Sequence, residues 1–246
     1  LDQTGAIIGP LITSFVLARH GDYRAAYGWL AIPAVLTMLS VAIIAVRYSF
    51  AGHIAQRPSS DAPAELTRAF WFYAASAGLL GFGFADFSLI AYHFAQASVI
   101  PKADIPIFYA IAMGASGAGA LVFGLLFDRR GLVVMVPVIL LGAIATPLVF
   151  LGQAVAALGG TILWGMAVGT QNALMSASVA KLVPETGRAR AYGLFSALFG
   201  ISWFVGSSLL GFLYDHSLVL VAVVAIAAQL LSIIPLIAAI RVTARS

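Results

Sequence analysis

The chain has 246 residues, 62% of them hydrophobic and 9% charged, with no cysteine, a formal net charge of +4 and a mean hydropathy of +1.03. A soluble domain carries about 25% charged and about 45–50% apolar residues, so this composition excludes a soluble enzyme, a disordered chain and a disulfide-held scaffold. The apolar residues run through the whole length, which makes this a polytopic membrane protein and requires its basic residues to be placed against a bilayer before they say anything of partners.

A membrane-crossing helix needs about 20 mostly apolar residues. Charged residues and Pro/Gly punctuation divide the sequence into eight such stretches, at 2–18, 25–46, 70–97, 107–127, 132–152, 157–180, 191–213 and 218–240. The first starts at once with LDQTG and holds Asp2, Gly9 and Pro10, so it reads as a chain cut ahead of its natural start rather than as a signal anchor. Between the second and third stretches, RYSFAGHIAQRPSSDAPAELTRA at 47–69 is polar and holds two prolines. It is expected to be a linker that divides the chain into 1–46 and 70–246.

Eight crossings put alternate loops on the same side. Ten of the 13 Lys and Arg residues then fall on one side: Arg47, Arg57, Arg68, Arg129, Arg130, Lys181, Arg188, Arg190, Arg241 and Arg245. Arg19, Arg24 and Lys102 fall on the other. Lys and Arg are retained in the cytoplasm during insertion, so the linker and both termini are expected to be cytoplasmic. This asymmetry accounts for the positive balance without nucleic acid.

After the linker the stretches differ in polarity in a repeating way. The stretch at 70–97 holds Asp86 and His93, 107–127 is rich in Gly and Ala, and 132–152 has nothing more polar than Thr146. The rhythm restarts with Gln171, Asn172, Ser176 and Ser178 in 157–180, continues with four serines in 191–213, and ends in 218–240, which is almost purely aliphatic. A polar helix must face protein or a water-filled cavity, whereas an aliphatic one can face lipid. Two cavity helices and one peripheral helix, twice over, point to the three-plus-three repeat used by secondary transporters. Small residues recur every four positions at Gly165, Gly169, Ala173 and Ala177 and at Ala112, Ser116, Ala120 and Gly124, which lets backbones approach closely.

Three motifs lie at the ends of these stretches. In GLLFDRRG, Gly124 to Gly131, Gly124 permits close helix contact, Asp128 can bond a neighbouring helix, and Arg129 and Arg130 hold the turn in the cytoplasm. Such a latch can be made and broken as two bundles rock. This string resembles the GxxxDRxG signature of the major facilitator superfamily. GAIIGP, with Gly5, Gly9 and Pro10, resembles the core of that superfamily's fifth-helix motif, and VPETGRARAYGLFSALFG, Val183 to Gly200, is similar to its junction between helices ten and eleven. Two departures stand out. Leu132 and Val133 follow Gly131 where basic residues are common, and Thr13 and Ser14 stand where the fifth-helix motif often has glycines.

The resemblance implies a twelve-helix carrier of which this all-α chain holds helices five to twelve. These would be the last two helices of a first bundle (1–46), a cytoplasmic linker (47–69) and a complete second bundle (70–246), in a bacterial inner (plasma) membrane. It implies movement of a small solute by alternating access, the two bundles rocking about a midplane site, with no cofactor.

Asp86 is the only acidic residue well inside a stretch. An Asp at the bilayer centre costs about 2.5–3.5 kcal/mol on insertion scales, so it is expected to face the cavity. His93 lies two helical turns on and shares its face. A buried carboxyl can bind and release a proton as its access to water alternates, which makes Asp86 the candidate for proton coupling and His93 a candidate relay. The competing reading makes Asp86 a structural hub of a helix bent at Gly78, Gly81 and Gly83. Trp164 and Gln171 share a helix face, Asn172 lies beside Gln171, and Trp203 offers an aromatic wall from the next helix. These four are candidates for the solute path, against the alternative that they glue helices together. No Arg or Lys sits mid-stretch to hold an anion.

Enzyme signatures are absent. His20, His53, His93 and His216 form no metal-ligand spacing, and no GxSxG string or phosphate-binding loop occurs. The second reading of the chain is a non-transporting membrane receptor, scaffold or assembly module that borrows the same fold.

Overall fold

A computed structural model describes residues 2–20, 23–48 and 66–245. Residues 49–65, most of the expected linker, lie outside the described residues. The regular structure of the described residues is entirely helical: α1 Asp2–His20, α2 Tyr23–Tyr48, α3 Arg68–Phe82, α4 Phe87–Gln96, α5 Ile105–Arg130, α6 Met135–Phe150, α7 Ala154–Leu182, α8 Arg188–Tyr214 and α9 Leu218–Thr243, with short 3₁₀ turns before α5, α6 and α8.

Six segments are long and apolar enough to cross a membrane: Tyr27–Ala45, Arg68–Gln96, Lys102–Phe150, Ala154–Leu182, Glu185–Tyr214 and Leu218–Thr243; Thr4–Arg19 is a shorter apolar helix. The 49 residues of Lys102–Phe150 would span about 74 Å as one straight helix, more than twice a hydrocarbon core of about 30 Å. They reverse instead. Phe94 at the end of α4 touches Phe108 at the start of α5, and its neighbour His93 touches Phe150 at the end of α6, with ring centroids 5.6 and 5.3 Å apart. Both ends of the segment therefore lie at one level. The reversal falls at Gly131, whose φ of +62° is strained for any residue with a Cβ.

The helix ends gather by charge. Thr67 caps α3 by accepting from the Phe70 amide at 3.1 Å and donates to the Leu182 carbonyl at the end of α7 at 3.2 Å. Lys181 lies over the Phe127 ring, 4.2 Å from its centroid, joining the ends of α7 and α5. Arg68, Arg129 and Arg130 thus share one end of the bundle with Lys181, and Lys102 lies at the other. Two buried apolar clusters fill the interior. One lies towards the basic end around Phe70, Tyr73, Phe127 and Leu236, and the other towards the Lys102 end around Phe94, Phe150, Trp164 and Leu210. α2 packs on α1, and no residue of Tyr27–Ala45 is buried.

In a membrane, helices associate through packing rather than through expulsion of water, so small residues decide how closely they approach. α5 and α7 run in the same direction and meet along the two stripes read from the sequence. A Cβ at Gly165 would strike the carbonyl of Ala112, and one at Gly169 would strike that of Ser116. The stripes then diverge, because Ala173 is exposed and nothing lies within 4 Å of a Cβ at Gly124. α3 and α8 also run parallel, with Gly206 against the backbone of Phe82.

The stretch at 70–97, expected as one crossing, is two helices. α3 ends at Phe82, and α4 begins anew with Asp86 in the N-cap position, its backbone extended at φ −68° and ψ 151°. Gly83 fits here because a Cβ would come within 2.6 Å of the Ala225 carbonyl of α9. A break in hydrocarbon frees backbone groups that have no water to bond, at several kcal/mol each. Side chains supply the missing donors. Gln229 Nε2 of α9 donates to the Gly83 carbonyl at 3.0 Å, and Trp164 Nε1 of α7 donates to the Ala85 carbonyl at 2.8 Å. Gln229 also donates to Thr146 Oγ1 of α6 at 3.5 Å. The two stretches read as peripheral and aliphatic also brace the break through one face: Gln229 and Ser232 of α9 and Thr146 of α6 are buried, while Leu230, Leu231 and Ile234 of α9 and Leu140 and Ile144 of α6 are exposed.

Three outcomes follow from this packing. Gly165→Ala is expected to destabilise the protein by about 1–3 kcal/mol through overpacking, whereas Gly114→Ala, where a Cβ meets nothing, should gain about 0.5–1 kcal/mol from helix propensity. Gln229→Leu, which strips the Gly83 carbonyl of its donor, should cost about 1–3 kcal/mol. Unfolding measured in detergent checks all three.

Candidate functional site

The break opens onto a cavity of about 370 Å³ between α1, α4, α5, α7 and α8. Asp86, Trp164, Gln171, Asn172 and Trp203 all line it. Five candidates chosen by different arguments on three helical stretches thus come together around one space.

Each reaches it for a local reason. Asp86 stands at the start of α4, yet its side chain does not cap the helix. Its Oδ2 instead accepts a hydrogen bond from Ser207 Oγ of α8 at 2.7 Å, and Oδ1 has no hydrogen-bond partner among the described residues. Trp164 is fixed by its bond to the Ala85 carbonyl. Gln171, two turns further along α7, is only 4% exposed, and its amide has no hydrogen-bond partner among the described residues. A buried amide without a protein partner, lining a cavity, is suited to bond whatever enters. Asn172 is exposed and Trp203 partly so.

The sequence reading missed other residues of this wall. Phe84 and Phe87 flank Asp86 on either side of the break, Tyr109 and Ser116 come from α5, and Phe199 comes from α8. The rings form two groups. Trp164 packs on Phe84 and Phe87 at 5.9 and 5.6 Å, and Phe87 packs on Tyr109 at 4.5 Å; apart from these, Phe199 packs on Trp203 at 5.6 Å. Aromatic residues are common throughout this chain, so only their convergence marks these. A second cavity of about 250 Å³ lies on the α8 side of α4, lined by Asp86, Ser88, Tyr92 and Ser207 among others. Asp86 borders both.

His93 is placed elsewhere. It is 2% exposed and lines neither cavity; its Nδ1 lies 3.1 Å from the Tyr214 hydroxyl. Asp86 and His93 are seven residues apart, as are their partners Ser207 and Tyr214. α4 therefore lies along α8 in the same direction and in register, pinned at both ends. The Asp86 and His93 side chains do not bond each other.

The remaining motif residues sit at the rim. Asp128, Arg129 and Arg130 are exposed at the end of α5, and Asp128 has no ion pair or hydrogen bond among the described residues. In the fifth-helix motif, a Cβ at Gly5 would meet nothing, one at Gly9 would meet only Leu30 at 3.9 Å, and Pro10 lies inside α1. Ser14, one of the two departures from that motif, donates to the Ala103 carbonyl ahead of α5 at 3.0 Å, a tie that glycine cannot make. In the junction before α8, Arg188 pairs with Glu185 at 3.2 Å. Among the described residues, no three His, Cys, Asp or Glu residues are grouped to hold a metal ion.

Comparison with known proteins agrees with this architecture. An uncharacterized protein of Mycobacterium bovis and two of Mycobacterium tuberculosis are each 33% identical to the chain over 241 residues, covering 95% of it. The chain spans 59% of the length of these relatives. No solved structure matches. The family model described as Major Facilitator Superfamily matches residues 2–207, and the chain, an all-helical integral membrane protein with a cavity at a broken helix, belongs to that superfamily.

Proposed function

We propose that this chain forms the larger part of a secondary transporter that moves a small solute by alternating access, and that the cavity at the α3–α4 break is this chain's share of the solute site. The single observation carrying this reading is the break itself. Discontinuous helices at mid-membrane are how transporters present backbone and side-chain groups to a solute inside the bilayer, and here the break delivers Asp86 to a cavity that also exposes the free amide of Gln171. A receptor or scaffold has no need of a carboxylate at that depth.

The chain crosses the membrane eight times on this reading, through α1, α2, α3 with α4, and α5 to α9. Residues 1–46 belong to a first bundle, 47–69 to the linker and 70–246 to a second bundle. The gathering of Arg68, Arg129, Arg130 and Lys181 at one end supports a cytoplasmic location for that end. The turn Gly124 to Gly131 acts there as the latch. Asp128, without a partner in this structure, is available to pair when that end closes.

Asp86 is the coupling group. Among the described residues it is the only acidic one lining the cavity, and Tyr109 is the only other titratable group there. Ionised, it is held by Ser207 and open to water; protonated, it is neutral and can be carried through an occluded state at much lower electrostatic cost. His93, bonded to Tyr214 away from the cavity, positions α4 and does not relay protons.

Two measurements test these assignments. In the intact protein as encoded by its gene, reconstituted in vesicles with a solute found by an uptake panel, Asp86→Asn should reduce pH-gradient-driven movement at least about tenfold; unchanged gradient-driven movement refutes the coupling role. Because these 246 residues have no cysteine, single replacements report topology once any cysteine elsewhere in the intact protein is changed to serine. An impermeant thiol reagent applied outside intact cells should label Lys102→Cys and not Arg245→Cys, and labelling of both from one face contradicts the eight crossings.

A further inference from the structure

The charge and ring content of the cavity narrow the class of solute. We propose that it takes a lipophilic organic cation, such as a quaternary ammonium carrying an aromatic or branched apolar group, with its charge against Asp86 and its body among the rings. This inference rests on the cavity being the solute site.

Six of the fourteen residues lining the cavity are aromatic, namely Phe84, Phe87, Tyr109, Trp164, Phe199 and Trp203, and none is Lys, Arg or His. Aromatic faces carry negative potential and attract cations, most strongly where water is excluded, which is how aromatic cages select quaternary ammonium groups. A sterically shielded cation suits such a wall because it needs few hydrogen bonds. Asp86 supplies the full counter-charge, with Oδ1 free of protein partners.

An anion fares worse. The N-terminus of α4 offers it a partial positive charge of about half a unit, but the carboxylate of Asp86 occupies that same position with a full negative one. A neutral polar solute leaves that carboxylate desolvated and without a counter-charge, the Ser207 hydrogen bond being a neutral one. The volume of about 370 Å³ lies within the range of small-molecule sites and accommodates a single-ring cation.

Benzyltrimethylammonium and its uncharged isostere neopentylbenzene separate charge from shape. In the intact protein with Trp29 and Trp71, two positions away from this cavity, and any tryptophan outside these 246 residues replaced by Phe, Trp164 and Trp203 remain as reporters. Titration followed by tryptophan fluorescence should show the cation binding at least about tenfold more tightly than the isostere. Asp86→Asn should erase that preference while changing the isostere's affinity by no more than about twofold, which also shows that the variant is folded. Equal or tighter binding of the isostere, competition by benzenesulfonate as strong as by the cation, or an unaltered preference in Asp86→Asn overturns the cation assignment and leaves the solute-site reading standing. If none of the three compounds perturbs either tryptophan, both fall.

Discussion

The hydrogen bonds from Gln229 to the Gly83 carbonyl and from Trp164 to the Ala85 carbonyl are the interactions on which the site depends. Hydrocarbon contains no water to satisfy a freed peptide group, so a helix can stop inside a membrane only where protein supplies the missing partners. These donors come from α9 and α7. They allow α3 to end at Phe82, and the four residues to Asp86 then set a new start for α4. Were α3 and α4 one helix, residue 86 would have helical backbone angles rather than the extended ones it has. The break therefore sets the position of the only carboxylate lining the cavity among the described residues, and Gln229 and Trp164, both distant from it in sequence, hold it in place.

Packing of parallel helix pairs fixes what surrounds that carboxylate. α5 and α7 approach through Gly165 and Gly169 until backbone touches backbone, then part. Gln171 and Asn172 come two and three residues after Gly169, so they lie where the helices begin to separate and space opens. α3 and α8 make the equivalent approach at Gly206 against Phe82, one residue before Ser207, whose hydroxyl meets Asp86. In both pairs a glycine at the closest approach stands next to a polar group of the site. Close packing and cavity are two consequences of one arrangement, since helices pressed together at one level must splay at another if they cross at an angle.

Much of this was legible from residues alone. Long apolar runs and the distribution of Lys and Arg revealed the membrane character and the grouping of basic helix ends, and the motif around Gly124 to Gly131 pointed to the family. Asp86 stood out because a carboxylate in an apolar run is costly, and Trp164 and Gln171 because a seven-residue spacing keeps one helix face. The break was not legible. Gly78, Gly81 and Gly83 pointed to a bend, not to a full stop of the helix, and only the nearness of α9 shows that Gly83 has no room for a Cβ. Gln229 escaped because one amide scarcely alters the mean hydropathy of an aliphatic run, although a single polar side chain in such a run is itself a signal. Asp86 and His93 do face the same neighbour, α8, through Ser207 and Tyr214, but seven residues keep them two turns apart, and spacing alone did not tell a shared side from a direct bond.

The position of Asp86 also constrains how coupling and solute binding can relate on the proposed reading. Its carboxylate borders the cavity of about 370 Å³ on one side and that of about 250 Å³ on the other, with α4 between them pinned to α8 through Ser207 and Tyr214. A carboxylate can balance one positive charge in a dry site, and a proton and an organic cation compete for it. Binding the cation expels the proton, and protonation removes the charge that held the cation. No second acidic side chain lines either cavity to relax this exclusion. Exchange of one positive charge for another then follows from having a single acid at the break, without any need for a separate relay, and His93 is left to what its geometry provides, the anchoring of α4 at the end away from Asp86.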